Sequence, residues 1–347
     1  MSATPTDEAF VAAVPKHELH VHLEGSMPPE TLLDLARRHG VTSLPDSLDG
    51  VRGLYEFTDF DHFVRTYLRV VQLLREREDF RLLTQGVLER LAHQDVRYAE
   101  ITWTPLLHTV RGLAVEEVFA GLEDARTAVE AAGGPVVRWV TDVAGHLGPE
   151  ASEETLDLVL RLGGGTPPAS VVGFGLGGPE VDRRPFARPF ARARAAGLRS
   201  LPHAGEVTGP ESVRAALEDL GAERIGHGIA IARDEALMSE VAGRGVVVEV
   251  CPTSNLRTRV VASYEEHPLL RMLEAGVAVT VNSDDPPMFG TTLSQEYLLC
   301  LRRLGLTRTQ LVGCARTAAT GGSAPEEVVA RTLADLDRLT TSGGPQR

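Results

Sequence analysis

Short apolar runs recur along the chain, and longer amphipathic stretches separate them. In Glu18–Leu23, Leu19, Val21 and Leu23 alternate with polar positions, the period of a strand. Further strands are predicted at Val96–Trp103, Val136–Val143, Ser170–Leu176, Arg199–His203, Arg224–His227, Val246–Cys251 and Val277–Asn282. Most are rich in valine and apolar throughout, as strands buried on both faces are. The stretches between them carry a helical period. In Ala114–Ala132, Glu116, Glu117 and Glu123 fall on one side and Val118, Leu122, Ala125 and Val129 on the other. Glu211–Leu220 follows Pro210, a favoured first helical residue. Asp234–Val241 and Pro268–Ala275 read as helices too. Parallel strands need crossover helices, so eight strands alternating with helices fit an α/β fold of the (β/α)₈ barrel type.

The spacing is uneven in one place. Residues 29–94 hold about three helical segments before the second strand. They read as a helical insertion after strand one that lids the barrel mouth. Beyond the eighth strand, Leu293–Leu304, Arg308–Ala319 and Pro325–Leu339 predict extra C-terminal helices. The cluster Gly163–Pro168 (GGGTPP) is a loop, and 340–347 is expected to be a flexible tail. All 347 residues are read as one domain, a length common for α/β barrels.

Charge and composition narrow the function. Lys and Arg number 35 against 48 Asp and Glu, a net charge of −13. That argues against a nucleic-acid groove and against an anionic membrane surface, both of which need excess positive charge. Three scattered cysteines make no disulfide framework and suggest a reducing compartment. No signal peptide is evident in residues 1–14, and no apolar run reaches membrane-spanning length. The expectation is a soluble, cytoplasmic protein whose partners are a small-molecule substrate and water.

Candidate chemistry sits at strand ends. His20 and His22 are two apart on the first strand and project to one side, where two imidazoles can share a metal. The fifth strand ends in PHAGE, with His203 and Glu206. The sixth ends in RIGHG, with His227, and the eighth in NSDDP, with Asp284 and Asp285. In a barrel these C-terminal ends converge on one mouth, where active sites lie. Singly, each reads as an interior histidine, a turn residue or a helix cap. Jointly, they point to a metal hydrolase site. Imidazole and carboxylate suit zinc, so His20, His22, His203 and one carboxylate are expected to hold a single Zn²⁺. Glu206 and His227 remain for proton transfer. GFGLGG (Gly173–Gly178) is no phosphate-binding loop, and no G-x-S-x-G occurs. A two-metal hydrolase bridged by lysine is disfavoured because Lys16 is the only lysine in the chain. A non-catalytic barrel would be expected to lack a ligand or Glu206, and none is missing.

With these residues assembled, the chain resembles the adenosine deaminase family of zinc hydrolases. The motifs that carry the likeness are PKHELHVHLEG (Pro15–Gly25), VVGFGLGGPE (Val171–Glu180), PHAGE (Pro202–Glu206), RIGHG (Arg224–Gly228), CPTSN (Cys251–Asn255) and NSDDP (Asn282–Pro286). The resemblance implies that His20, His22, His203 and Asp284 are the zinc ligands. It makes Glu206 the acid that protonates purine N1, and His227 the group that orients and helps deprotonate the metal-bound water. Asp284 thereby counts among the catalytic groups as well. Asp285 would accept from the N7 side, and the Gly178 amide would donate to N3. Glu24 stands where the adenosine enzymes carry Asp for the sugar 5′-hydroxyl, and Gly175 and Pro179 stand where they typically have Asp. The activity implied is hydrolytic deamination of a 6-aminopurine nucleoside, adenosine or a 5′-modified adenosine, to the 6-oxo product and ammonia. Relatives with HLEG also include aminodeoxyfutalosine deaminases of menaquinone synthesis and adenine deaminases, which are the alternatives. Phe57, Phe60 and Phe63 in the insertion are candidates to cover a sugar, with helix packing as the other reading. The same choice applies to Trp103 and Pro105 at the mouth.

Overall fold

Eight parallel strands pair in chain order: β1 (Lys16–His22), β2 (Val96–Trp103), β3 (Val136–Thr141), β4 (Val171–Leu176), β5 (Arg199–Ala204), β6 (Arg224–His227), β7 (Val247–Val250) and β8 (Ala278–Val281). This is a computed structural model that describes residues 6–58 and 60–342. The ring closes between the last strand and the first. Val21 bridges to Asp284, the Asp284 amide donates to the His20 carbonyl at 3.1 Å, and the His22 amide donates to the Asp284 carbonyl at 2.9 Å. Helices outside the strands bury the second face of the sheet, which is why the strands are apolar on both sides.

The strand positions follow the hydrophobic pattern closely, but β3, β7 and β8 are each two residues shorter than expected. After Val250, Pro252 opens the helix Pro252–Arg257, where its missing N–H is harmless. After Val281, the Asn282 side chain replaces a ladder bond and accepts from the Leu19 amide at 3.1 Å. Between β1 and β2 the described residues form four helices rather than about three: Pro29–Arg38, Leu48–Leu54, Phe60–Val71 and Arg77–Ala92. The extra one, LDGVRGL, has two glycines and little intrinsic helix preference. It is held by its cap, with the Ser47 hydroxyl accepting from the Gly50 amide at 3.3 Å, and by burial of Val51. An N-terminal helix, Asp7–Ala13, was not anticipated. The final helix, Glu326–Ser342, takes in Thr340 and Thr341, whose hydroxyls donate to the Asp337 carbonyl. The first residues of the expected loose tail are therefore helical, and 343–347 lie outside the described residues. No helix among the described residues is long and apolar enough to cross a membrane.

At the floor of the barrel, charge is buried but paired. Arg224 donates to Glu249 at 2.5 Å and to Glu100, with all three side chains nearly inaccessible. The Lys16 ammonium donates to the carbonyls of Val11, Val14 and Gln94 at 2.8, 2.8 and 3.0 Å. Such pairing is what makes burial of a charge tolerable.

Candidate active site

The C-terminal strand ends surround a cavity of about 320 Å³, a size suited to a small organic ligand. His22, Asp142, Gly178, His203, Glu206, His227, Asp284 and Asp285 all line it. His20 and Glu24 do not line it; both lie behind that surface, 3 % and 1 % exposed. Every motif thus reaches the same end of the barrel, as parallel strands require of their C-termini.

Three imidazoles converge. One ring nitrogen from each of His20, His22 and His203 lies within 4.8 Å of the other two. The His22 and His203 Nε2 atoms are only 3.2 Å apart. Asp284 Oδ1 lies 3.3 Å from His22 Nε2 and 3.6 Å from His20 Nε2. His20 Nδ1 is engaged by Glu249 at 3.0 Å, so its Nε2 is the free nitrogen, buried and without a hydrogen-bond partner. Burial, with His20 and His22 beside it, holds His203 well below the ordinary imidazole range. Burial opposes ionisation of Asp284 too, but the adjacent His20, His227 and His22 imidazoles hold its carboxyl well below the usual range. Burial lowers His22 as it does His203, whereas Asp284 and Glu249 outweigh burial at His20 and push it up to about 10. Two neutral imidazoles, an orphaned buried nitrogen on His20 whose proton a cation can replace, and a carboxylate fit a divalent transition metal such as zinc. Cys251 lies within reach of His20, His227 and Asp284, but burial pushes its thiol up, so it is a poor ligand.

Glycines of the motifs make room for these groups. A Cβ on Gly25 would stand 1.5 Å from Asp285 Oδ1, and one on Gly226 would stand 2.7 Å from His20 Cε1. His227 and Asp284 hold φ of 58° and 65°, a left-handed conformation that costs a non-glycine residue on the order of 1–3 kcal/mol. Their neighbours over-determine it. The Ser283 amide donates to Glu18 at 2.8 Å, fixing the loop that carries Asp284.

Glu206 is buried beside His227, whose Nε2 lies 3.7 Å from its Oε2 and 3.8 Å from Asp284 Oδ2. Burial, with Asp284 and Glu180 nearby, pushes the Glu206 carboxyl up to about 8, so it carries a proton at neutral pH. Glu180, the acid of the GGPE motif, clamps the loop that bears it. It accepts from the amides of Gly205, Val207 and Thr208 at 2.6, 2.8 and 2.8 Å and from the Ser212 hydroxyl at 2.8 Å.

Glu24 is occupied. Its Oε1 accepts from His108 at 2.9 Å and from the Thr104 amide at 3.2 Å, while Oε2 is buried without a partner. Asp142, at the end of β3, lines the cavity instead and accepts from the Thr104 hydroxyl at 2.5 Å. Phe63 lines the mouth and stacks on Phe289 with centroids 5.1 Å apart; Phe57 packs behind it. The Phe60 side chain lies outside the described residues. Trp103 is core, fully buried against Phe119; Pro105 caps the short helix Leu106–Thr109. Glu18, Glu249, Asp142, Asn255 and His267 were missed as site residues. A lone acid in VVVEV and an asparagine inside a quoted motif were the available signals.

Comparison with known proteins agrees with this geometry. Residues 15–339 match the family profile described as adenosine deaminase. The aminodeoxyfutalosine deaminase of Streptomyces avermitilis is 47 % identical over 338 residues, covering 96 % of this chain and 93 % of that protein. The crystal structure of an adenine deaminase from Arthrobacter aurescens superposes with a TM-score of 0.89 at 32 % identity, covering 94 % of this chain and 99 % of that one. An amidohydrolase structure with bound zinc from Burkholderia ambifaria gives a TM-score of 0.85 at 26 % identity, covering 99 % and 96 % of the two chains. A barrel of this topology, its mouth lined by these imidazoles and acids, together with a family match over most of its length, places the chain in the adenosine deaminase family of hydrolytic deaminases acting on C–N bonds.

Proposed function

We propose that this protein replaces the 6-amino group of a purine nucleoside by oxygen, and that its preferred substrate carries a largely apolar extension at the 5′ position. The observation that carries the reaction is the buried Glu206 carboxyl sharing one cavity with His22, His203, His227 and Asp284, with His20 directly behind them. The preference for a 5′ extension is supported by the rim. Leu68, Val110 and Leu147 line the cavity mouth while 41, 76 and 46 % exposed. Exposed apolar side chains gathered at one opening mark a surface that a ligand covers. The similarity to the Streptomyces avermitilis enzyme supports deamination of an aminopurine.

His20, His22, His203 and Asp284 would hold one zinc ion. Bound there, zinc would act as a Lewis acid and bring the pKa of a water close to neutrality. The remaining work falls to side chains of this chain. Glu206 gives its proton to N1 as oxygen adds to C6, so the electron pair displaced from the ring ends on a protonated nitrogen. This interaction strengthens as the ring loses aromaticity, and so favours the transition state over the ground state. His227 orients the attacking water. The Asp284 carboxylate lies on the same side, placed to receive the proton that water loses. Burial and the Asp284 charge push the Asp285 carboxyl up, so Asp285 keeps a proton and would donate it to N7, which has none to give, rather than accept as the resemblance implied; the Gly178 backbone also lines the cavity. The proton held by Asp284 then passes to the 6-amino group, the C6–N bond breaks as the oxygen forms C6=O, ammonia leaves, and the hydroxyl proton released in that step returns to Glu206.

A spectrophotometric panel tests the reading with adenosine, deoxyadenosine, methylthioadenosine, aminodeoxyfutalosine and adenine. The highest kcat/KM is expected for the nucleosides with an apolar 5′ group. Adenine turned over faster than every nucleoside would overturn the substrate assignment, and no ammonia from any of them would overturn the reaction.

A further inference from the structure

A chain of hydrogen bonds runs from a backbone amide to His227, and its direction is fixed at one end. The Leu269 amide donates to His267 Nδ1 at 3.2 Å. A backbone N–H can only donate, so His267 Nδ1 is an acceptor and its neutral ring carries hydrogen on Nε2. Burial pushes His267 down to about 4, which keeps that ring neutral. His267 Nε2 lies 3.2 Å from Asn255 Oδ1 and donates to it. The other end of the amide, Asn255 Nδ2, therefore donates to His227 Nδ1 at 3.2 Å. His227 Nδ1 is thus an acceptor, and the hydrogen of the neutral ring sits on Nε2, the nitrogen that faces Glu206 and Asp284. The orientation of the Asn255 amide follows from the backbone donor and from no assumption about His227.

We infer that Asn255 and His267 are positioning residues that lock His227 as an Nε2–H donor, so that His227 orients the attacking water with a hydrogen bond and does not remove its proton. The inference rests on the proposed deamination for its consequence, although the tautomer itself does not. It assigns two residues outside the cavity lining to the reaction. It also leaves the water's proton to a carboxylate. The burial of the relay fits the role: Asn255 is 0 % exposed and His267 is 7 % exposed, so water cannot compete for the bonds that set its direction.

Nitrogen-15 NMR of the zinc-loaded protein, labelled at histidine, reads the tautomer without any substrate. The His227 signals are identified by their absence in His227→Gln. Hydrogen on Nε2 and a bare Nδ1 are expected in the wild type, and hydrogen on Nδ1 would overturn the inference. Asn255→Asp supplies the second arm. The carboxylate is nearly isosteric, but it can only accept, so it draws the hydrogen to Nδ1. We expect zinc content and KM to hold while kcat falls about 100-fold, since a wrong histidine tautomer has cost as much as about 10⁴ in a serine protease. A merely structural Asn255 would let this variant keep wild-type kcat, and that result would overturn the relay. If the tautomer is as inferred but no aminopurine is turned over, the functional reading fails and the relay stands.

Discussion

The floor and the mouth of the barrel bury comparable polar groups and treat them in opposite ways. At the floor the charged groups are paired, Arg224 with Glu100 and Glu249 and Lys16 with three carbonyls, and the neutral His17 leaves Nδ1 without a partner. At the mouth, His20 Nε2, His203 Nδ1, Glu24 Oε2 and Asp285 Oδ1 are buried without hydrogen-bond partners. Two left-handed non-glycine residues, His227 and Asp284, stand there too. Buried polar atoms are normally satisfied, so a cluster of exceptions marks groups held ready for a ligand. The floor uses its charges for cohesion, and the mouth keeps its own for chemistry.

Substitutions at the two ends should therefore fail in different ways. The largest effect is expected from Glu206→Gln at the mouth. The amide cannot give up a proton to N1, so kcat should fall by about 10²–10⁴ while zinc content and melting temperature stay near wild type. Steady-state kinetics with metal analysis would check this. At the floor, Arg224→Met leaves the Glu100 and Glu249 carboxylates buried without the guanidinium that pairs them, at a cost of about 3–5 kcal/mol. With an unfolding entropy of roughly 2.1 cal/mol/K per residue, the melting temperature should drop by about 4–7 °C, measurable by calorimetry. An unchanged melting temperature would erase the contrast between the ends.

Two smaller effects sharpen it. Gly25→Ala drives a methyl group into Asp285, so kcat/KM should fall about tenfold with the fold intact, a loss of about 1.4 kcal/mol. Glu180 bridges the two roles, because it stabilises the loop that carries the proposed acid, Glu206. Burial raises its pKa, but the hydrogen bonds from Thr208 and Ser212 and the Arg183 charge outweigh it, leaving the folded value below the ordinary 4.5. A carboxyl lowered on folding contributes stability above its unfolded pKa and loses it as pH falls through the folded value. The melting-temperature gap between wild type and Glu180→Gln should be widest near neutrality and shrink below about pH 4.5. A gap that widens in acid would refute the sign.

Much of the mouth could be read before any coordinates. His20, His22, His203, Glu206, His227, Asp284 and Asp285 are polar residues at the ends of apolar runs, and a barrel gathers such ends at one face. What escaped were the residues that act on those residues. Glu249 sits within a valine strand, and only the pairing of β6 with β7 and the size of Arg224 bring it to His20. His267 precedes a proline and reads as a turn, although folding carries it to Asn255, 12 residues back. Glu24 was legible as a substitution for Asp, but its capture by His108 depends on where the loop after β2 falls. Spacing reveals side chains that share a strand end; contacts across strands need the register.

The central claim is that one divalent ion, held by these four ligands, arms the site. Metal-stripped protein should be inactive on aminopurine nucleosides, and titration with zinc should restore full turnover at one equivalent, with a break in the curve at that ratio. Full activity in folded protein that contains no metal, or a break at two equivalents, would contradict it.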